Sequence, residues 1–209
     1  TDAHWRNRPD ASQPFFSVFN LGATHESCMW DEESLRNRRG HAQAPPLRTN
    51  PEDVEIPPYL ADTPATREAI CRQYDRIEDN DALLGQYLDQ LETDGLAERT
   101  IVIVWSDHGE GLPRRKRWPY DGGIHVPLIV RWPGQLEAGS VDEKLVSMID
   151  LPPTMLSLAG AGVPRHMQGQ PFLGPDAKQR DYIYATRDRY DETYDMQRAV
   201  RDRRYKYIR

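Results

Sequence analysis

The most apolar run in the chain, residues 101–105 (IVIVW), is followed at once by the polar stretch 106–109 (SDHG). A continuous run of β-branched residues without polar alternation predicts a strand buried on both faces, as in parallel sheets that are covered by helices. Ligands of open α/β sheets bind outside the carboxyl ends of the strands, so Asp107 and His108 occupy a position where a ligand site is expected. This feature favours an α/β fold and gives the search for function a starting point.

One long helix is predicted over residues 64–94, closed by Gly95, whose backbone suits a left-handed cap. Its apolar side chains recur at spacings of three and four, which places them on one face. Asp81 interrupts this face, and we expect its carboxylate to hydrogen-bond a buried backbone group rather than to take part in chemistry. The stripe consists of Ile70, Tyr74, Ile77, Leu84, Leu88 and Leu91.

Further elements follow from local patterns. Residues 14–20 (PFFSVFN) predict a buried strand, with His25 just beyond its end, and residues 30–58 predict a long surface loop rich in charge, Gly and Pro. Strands are predicted at 126–134 and 180–186 and as a pair around Asp202, and a helix is predicted after Asp150, its expected N-cap. The order indicates an α/β sheet followed by a small antiparallel element.

Asp and His side chains are both ligands for divalent cations, and the turn that Gly109 permits would let two adjacent residues share one ion. A nearby Lys116 could neutralise charge on a bound tetrahedral anion. Each residue also has a simpler interpretation: a capped turn for Asp107 and His108, a solvated basic loop for Lys116, and a structural histidine for His25. The placement of these residues together favours a site that binds a divalent cation and a tetrahedral anion.

Residues 74–134 closely resemble the second half of the core domain of the sulfatase family, in the alkaline-phosphatase-like superfamily. The ordered pattern includes Thr-Ile-Val, Ser-Asp-His-Gly, a lysine, Tyr-Asp-Gly-Gly, Val-Pro-Leu-Ile-Val and Pro-Gly. The resemblance extends upstream through PFFSVFNLGATHES and downstream to RAVRDRRYKYIR, so it covers nearly the whole chain. It implies an α/β fold with part of a mixed or parallel sheet flanked by helices and the start of a small C-terminal antiparallel sheet.

The resemblance also implies roles for four residues. Asp107 and His108 would be metal ligands, Lys116 would contact the sulfate, and His25 would contact the sulfate or the leaving-group oxygen. The expected metal is Ca²⁺; a histidine in place of the more usual asparagine makes the pair softer and keeps Mn²⁺ in consideration. Tyr120, Asp121 and His125 either line a substrate pocket or form the turn before the next strand.

Sulfatases attack sulfur with a formylglycine made from the Cys or Ser of a Cys/Ser-x-Pro-x-Arg motif. That motif does not occur in these 209 residues: neither Cys28 nor Cys71 is followed by the required Pro and Arg. The predicted organisation is therefore the second half of a sulfatase core over 1–175, with a long loop at 30–63, and a truncated C-terminal subdomain over 176–209. Formylglycine is expected in a missing half, so the chain alone is expected not to turn over sulfate esters.

Two alternatives remain at this stage. A phosphodiester or phosphonate monoester hydrolase of the same superfamily would use similar residues, because sulfate and phosphoryl groups are both tetrahedral oxyanions. A non-catalytic remnant or binding module is the other. The formal net charge of -6 argues against nucleic acid as a partner, and no window approaches the roughly 18 apolar residues of a membrane span. The expected partner is a sulfated small molecule or carbohydrate; compartment and oligomeric state stay open.

Overall fold

The computed structural model describes residues 4–29 and 46–209. The chain divides into two compact units, Thr1–Gly95 and Leu96–Arg209. Part of the predicted long loop, residues 30–45, lies outside the described residues. The predicted boundary between 175 and 176 stays a prediction.

The first unit is organised by helix α1, Pro64–Thr93, which confirms the predicted long helix. The Thr63 side chain accepts a hydrogen bond from the Thr66 N–H, Pro64 occupies the first turn, and Gly95 follows with φ 65°. The helix therefore begins directly after the capping residue Thr63 and ends just before the left-handed Gly95.

Only part of the predicted apolar face of α1 is covered. Ile70 and Leu91 are buried, whereas Tyr74, Ile77 and Asp81 are exposed. The expectation that Asp81 bonds a buried backbone group is therefore wrong in this chain, because this part of the face meets solvent. A polar face of the helix is buried instead.

Asp75 forms the centre of that buried polar face. Its carboxylate, 2% exposed, accepts hydrogen bonds from the backbone N–H groups of Arg48 and Thr49 at 3.0 and 2.9 Å and from the Thr49 hydroxyl at 2.7 Å. Burial raises the pKa of Asp75, but these hydrogen bonds outweigh it and leave the pKa below its usual value. The hydrogen bonds of Asp75 thus hold residues 48–49 against the helix.

The predicted strand at 14–20 is wrong: these residues have no regular secondary structure. Phe15 and Phe19 pack into an aromatic cluster with Trp5 and Tyr87, while Phe16 between them is 73% exposed. The alternation of a strand is present, but no described strand pairs with the segment. Strand formation needs such a partner, which local sequence does not reveal.

The second unit contains two small antiparallel sheets. Strands β1, Val102–Trp105, and β2, Leu128–Arg131, pair with Val102 opposite Arg131 and Trp105 opposite Leu128. Strands β3, Ile183–Tyr190, β4, Thr193–Arg201, and β5, Lys206–Ile208, form a second sheet in the order β3-β4-β5. All five strands predicted in this unit are present, but β1 pairs antiparallel and is half-buried, not parallel and covered on both faces.

Two helices complete the second unit: α2, Asp121–Ile124, and α3, Leu151–Leu158. Asp150 precedes α3 as predicted, but its side chain does not cap that helix. It is 1% exposed and instead binds the guanidinium of Arg180 and accepts from the N–H groups of Ser147 and Gln170. Asp150 therefore joins the start of α3 to residues 170–180, a long-range role that the capping pattern could not predict.

Candidate active site

The polypeptide turns sharply where β1 ends. The Ser106 hydroxyl donates to the carbonyl of His108 at 2.6 Å, and the Gly109 N–H donates to the carbonyl of Gly123 at 3.0 Å. A Cβ on Gly109 would lie 1.8 Å from the carbonyl oxygen of Gly122, so only glycine allows this approach. The turn places Asp107 and His108 at the carboxyl end of the strand, as predicted.

In the neutral ring of His108, a single hydrogen bond defines the tautomer. Its Nδ1 lies 2.8 Å from the carbonyl oxygen of Gly109, and a carbonyl oxygen only accepts, so this hydrogen bond assigns the proton to Nδ1. Nε2 then carries a lone pair, and it lies 3.5 Å from Oδ2 of Asp107, whose side chain is 81% exposed. Two electron-pair donors side by side are suited to bind a cation.

These two residues do not make a complete metal site by themselves. Within residues 4–29 and 46–209, no group of three or more His, Cys, Asp and Glu side chains is placed to hold a metal ion. A carboxylate and an imidazole are chemically suitable ligands for a divalent cation. A complete site would need additional ligands.

Lys116 lies in a loop without regular secondary structure, residues 110–120, here called the Lys116 loop. Its backbone N–H donates to the carbonyl of Glu110 at 2.9 Å, and the side chains of Glu110 and Arg115 form an ion pair across the loop. Arg114 and Arg117, on either side of Arg115 and Lys116, have φ 64° and 70°. Such angles are costly for residues with a side chain and persist where the surroundings enforce them.

The arginines next to Lys116 already have carboxylate partners. Arg115 pairs with Glu110, and Arg117 lies 3.4 Å from Asp191. Either arginine would have to give up its pair to neutralise an incoming anion.

His25 lies in the first unit, between two short 3₁₀ turns, Gly22–Thr24 and Glu26–Cys28. Its Nδ1 accepts from the Ser27 N–H at 3.3 Å and lies 2.8 Å from the Ser27 hydroxyl. A backbone N–H only donates, so in the neutral ring the proton lies on Nε2, opposite to the arrangement in His108. An exposed Nε2–H is suited to donate to an oxygen of a ligand.

Asn80 of α1 holds the segment that carries His25. Its side-chain Nδ2 donates to the carbonyl of Leu21 at 3.3 Å and to the Thr24 hydroxyl at 3.0 Å. His25 thus follows directly on a turn anchored to the long helix. This contact could not be predicted from local pattern, because 56 residues separate Asn80 from Thr24.

Of the three residues predicted to line a pocket or form a turn, Asp121 is engaged in ion pairs. It begins α2, and its carboxylate binds Arg201 of β4 at 2.9 Å and Lys206 of β5. Partial burial raises the pKa of Asp121, but Lys206 and Arg201 outweigh it and lower the pKa below its usual value. The turn interpretation is therefore supported for Asp121.

The basic residues of the C-terminal sheet are the functional candidates that sequence analysis missed. Arg187 is 8% exposed on β3, on the same face as Ile183 and Ala185. The period-two alternation of a strand could have revealed Arg187, because the alternation places this arginine on the apolar face.

No helix in the described part of the chain is long and apolar enough to cross a membrane.

Comparison with known proteins supports the resemblance noted above. The sequence model of the sulfatase family matches residues 5–161. An ulvan-active sulfatase from Formosa agariphila is 42% identical over 233 aligned residues, which cover 99% of this chain and 39% of that protein. The chain therefore spans well under half the length of this relative.

Two solved structures share the fold. A protein in complex with its substrate D-glucosamine-2-N,6-O-disulfate superposes with a TM-score of 0.59 at 25% identity, over 69% of this chain and 31% of its own. The phosphonate monoester hydrolase from Silicibacter pomeroyi superposes with a TM-score of 0.62 at 26% identity, over 77% of this chain and 37% of its own. The α/β fold of alkaline-phosphatase type is thereby confirmed.

Proposed function

Because this chain belongs to the sulfatase family, we propose that the full-length protein containing it hydrolyses sulfuric esters and that this chain supplies part of the metal and sulfate site. The observation that carries the proposal is the end of β1. There the Gly109 carbonyl fixes the tautomer of His108 so that Nε2 has a free lone pair beside the Asp107 carboxylate. A strand end with two adjacent donors of this kind suits a divalent cation.

Asp107 and His108 would hold the cation, with Ca²⁺ expected and Mn²⁺ the alternative that the imidazole favours. When bound, the ion would lower the charge on the sulfate oxygens and so make sulfur more open to attack. Formylglycine, the nucleophile that the family uses, would come from outside these 209 residues, which contain no Cys/Ser-x-Pro-x-Arg motif.

Lys116 and His25 would act on the substrate itself. The Lys116 ammonium would donate to a sulfate oxygen and stabilise the negative charge that develops there. His25 would donate its Nε2 proton to the sulfate or to the leaving-group oxygen, since Ser27 already occupies Nδ1. The backbone of Lys116 is tied to the Glu110 carbonyl, and the ring of His25 accepts from the Ser27 N–H.

A sulfated sugar is the proposed substrate class. The Formosa agariphila relative is named as active on ulvan, and one structural neighbour was solved with a disulfated glucosamine. Ulvan oligosaccharides are therefore the first natural substrates to assay.

The test compares two aryl esters of the same leaving group, 4-nitrophenyl sulfate and 4-nitrophenyl phenylphosphonate, with purified full-length protein. Sulfuric ester hydrolysis predicts a higher kcat/KM for the sulfate ester and release of inorganic sulfate from ulvan oligosaccharides. A higher kcat/KM for the phosphonate ester would favour the second candidate, which the phosphonate monoester hydrolase neighbour supports. Turnover of neither ester nor of the oligosaccharides would favour a binding module.

The proposed ligands are tested by metal content. We predict that Asp107→Asn and His108→Ala each weaken the metal affinity of the full-length protein at least about tenfold, a loss that even outer-sphere partners typically cause. Asp176→Asn is the matched control, because Asp176 lies at the surface and its carboxylate accepts a hydrogen bond from the Ser157 hydroxyl at 2.6 Å. Equal metal affinity in all three variants would remove Asp107 and His108 from the site.

A further inference from the structure

The C-terminal sheet makes contact with the chain immediately after Lys116. Arg187 of β3 donates through Nη1 to the carbonyl of Arg117 at 3.0 Å, and Lys206 of β5 donates to the carbonyl of Pro119 at 3.1 Å. Both acceptors are main-chain oxygens within three residues of Lys116. The sheet therefore holds the backbone of the Lys116 loop directly.

Arg187 is enclosed by the residues that it contacts. Its guanidinium lies over the Trp118 ring at 4.0 Å and over the Tyr190 ring at 5.3 Å, and it pairs with the carboxylate of Asp195. Stacking on aromatic faces and pairing with a carboxylate leave the planar group little freedom to rotate. The direction in which Nη1 donates is consequently fixed.

The acceptor of that hydrogen bond belongs to a strained residue. Arg117 has φ 70°, a left-handed conformation that is strained for a residue other than glycine and persists where neighbours over-determine it. Arg187 is one such neighbour, since it binds the Arg117 carbonyl. Because Arg117 directly follows Lys116, relaxing its backbone would redirect the lysine.

A second anchor lies at the far end of the loop. The carboxylate of Asp121 binds Arg201 at 2.9 and 3.0 Å and also pairs with Lys206. The register places Arg201 opposite Lys206 and Ile183, so both cations lie on the same face of the sheet as Arg187. One face of the sheet thus contacts the segment 117–121 at each end.

We propose that Arg187 is a positioning residue for Lys116: through the carbonyl of Arg117 it keeps the loop in the conformation that presents the lysine to the substrate's anionic group. Arg201 and Lys206, acting on Asp121 and Pro119, support the same conformation from the other end. The proposal rests on the proposed function, because it gives Lys116 a substrate to contact. In this proposal the sheet β3-β4-β5 supports catalysis by positioning Lys116, although none of the predicted catalytic residues lies on the sheet.

The test is a double-mutant cycle in the full-length protein with Arg187→Met and Lys116→Ala, scored by kcat/KM for the sulfate ester. We expect Arg187→Met alone to lower kcat/KM by about 10- to 100-fold, the effect of displacing a reacting group by about 1 Å. If Arg187 acts through Lys116, the double variant will be no slower than Lys116→Ala alone. Losses that multiply would overturn the proposal and leave the proposed function standing.

Lys116→Ala alone tests whether the lysine has a role in catalysis. If this variant keeps full activity, Lys116 has no catalytic role, and both the proposed role and its positioning by Arg187 are wrong. The matched control is Arg204→Gln, which alters an exposed arginine in the turn between β4 and β5 of the same sheet, where its guanidinium lies over the Tyr205 ring at 5.0 Å. It should keep the wild-type kcat/KM.

Asp121→Asn provides a second cycle in case Arg187→Met does not fold. The substitution keeps the shape of the side chain and removes only the charge that binds Arg201 and Lys206. We expect a smaller loss of kcat/KM than for Arg187→Met, again without further loss when it is combined with Lys116→Ala. A loss that multiplies with that of Lys116→Ala would contradict positioning at this end of the loop.

Discussion

At the scale of single residues, two histidines with opposite tautomers have complementary uses. His25 is held at Nδ1 by Ser27 and offers a proton from Nε2, whereas His108 donates from Nδ1 and offers a lone pair at Nε2. A proton donor suits contact with an oxyanion, and a lone pair suits a cation. Backbone groups within two residues set both arrangements.

The role of Ser27 in orienting His25 can be measured. We predict that Ser27→Ala lowers kcat of the full-length protein by about 2- to 10-fold, the value of one neutral hydrogen bond, and leaves KM nearly unchanged. Ser12→Ala is the control, since the Ser12 hydroxyl likewise binds a partner two residues away, Asp10, at 2.7 Å on the surface. Equal kcat values for both variants would show that the Ser27 hydroxyl does not orient the ring.

A second residue-scale prediction concerns Asp94, which receives hydrogen bonds from Arg6 and Trp5. The hydrogen bond from Arg6 and then that from Trp5 lower the pKa of Asp94 to about 2 from 3.8. Because the folded-state pKa is lower, the carboxylate stabilises the fold above pH 3.8, and this contribution is lost as the pH falls from 3.8 towards 2.

We therefore expect the difference in unfolding free energy between wild type and Asp94→Asn to be constant from pH 7 to about pH 5 and to shrink below that. Urea denaturation at a series of pH values measures it. Arg6→Gln removes the partner and should converge with wild type over the same range. A difference that grows on acidification would contradict the ion pair.

At the scale of elements, the turn after β1 depends on contacts between glycines that are distant in sequence. The chain returns from the Lys116 loop into α2 so closely that a Cβ on Gly109 would overlap the carbonyl of Gly122. A Cβ on Gly123 would lie 2.1 Å from the Trp118 carbonyl oxygen. The turn that presents Asp107 and His108 and the loop that carries Lys116 are thus packed as one structure.

We predict that Gly109→Ala destabilises the full-length protein by about 3 kcal/mol or more, at the upper end of overpacking costs, because its Cβ would overlap the Gly122 carbonyl. Gly85→Ala is the control: nothing lies within 4 Å of a Cβ at this position in α1. There alanine should stabilise the helix by about 0.5–1 kcal/mol. Chemical denaturation tests both, and equal stabilities would contradict the close approach.

Elements that depend on local pattern were predictable, and those that depend on distant partners were not. The spacing of Ile70 and Leu91 with capping by Thr63 and Gly95 was enough to predict α1. The segment around Phe16 has the alternation of a strand but no described partner to pair with. Similarly, Asp107, His108 and Lys116 could be selected from the sequence, whereas the contact of Arg187 with Arg117 joins residues 70 positions apart.

At the scale of the whole molecule, the chain spans 39% of the length of its Formosa agariphila relative. Large apolar side chains are exposed in each unit, including Phe16 at 73% and Ile129 at 62%. Surfaces of this kind promote association when they are not covered. The proposed activity is accordingly one of the full-length protein, and tests of the site residues belong there.

We claim that Lys116 contacts the sulfate that the full-length protein is proposed to remove. The most direct measurement is kcat/KM for a sulfate ester in three full-length proteins: wild type, Lys116→Ala and Lys144→Ala. Lys144 is the control, because its ammonium pairs with Asp142 at 3.0 Å at the surface. We predict a loss of about 10²–10³-fold for Lys116→Ala, typical of removing one group that stabilises developing charge, and none for Lys144→Ala. Equal kcat/KM values for the two variants would contradict the claim.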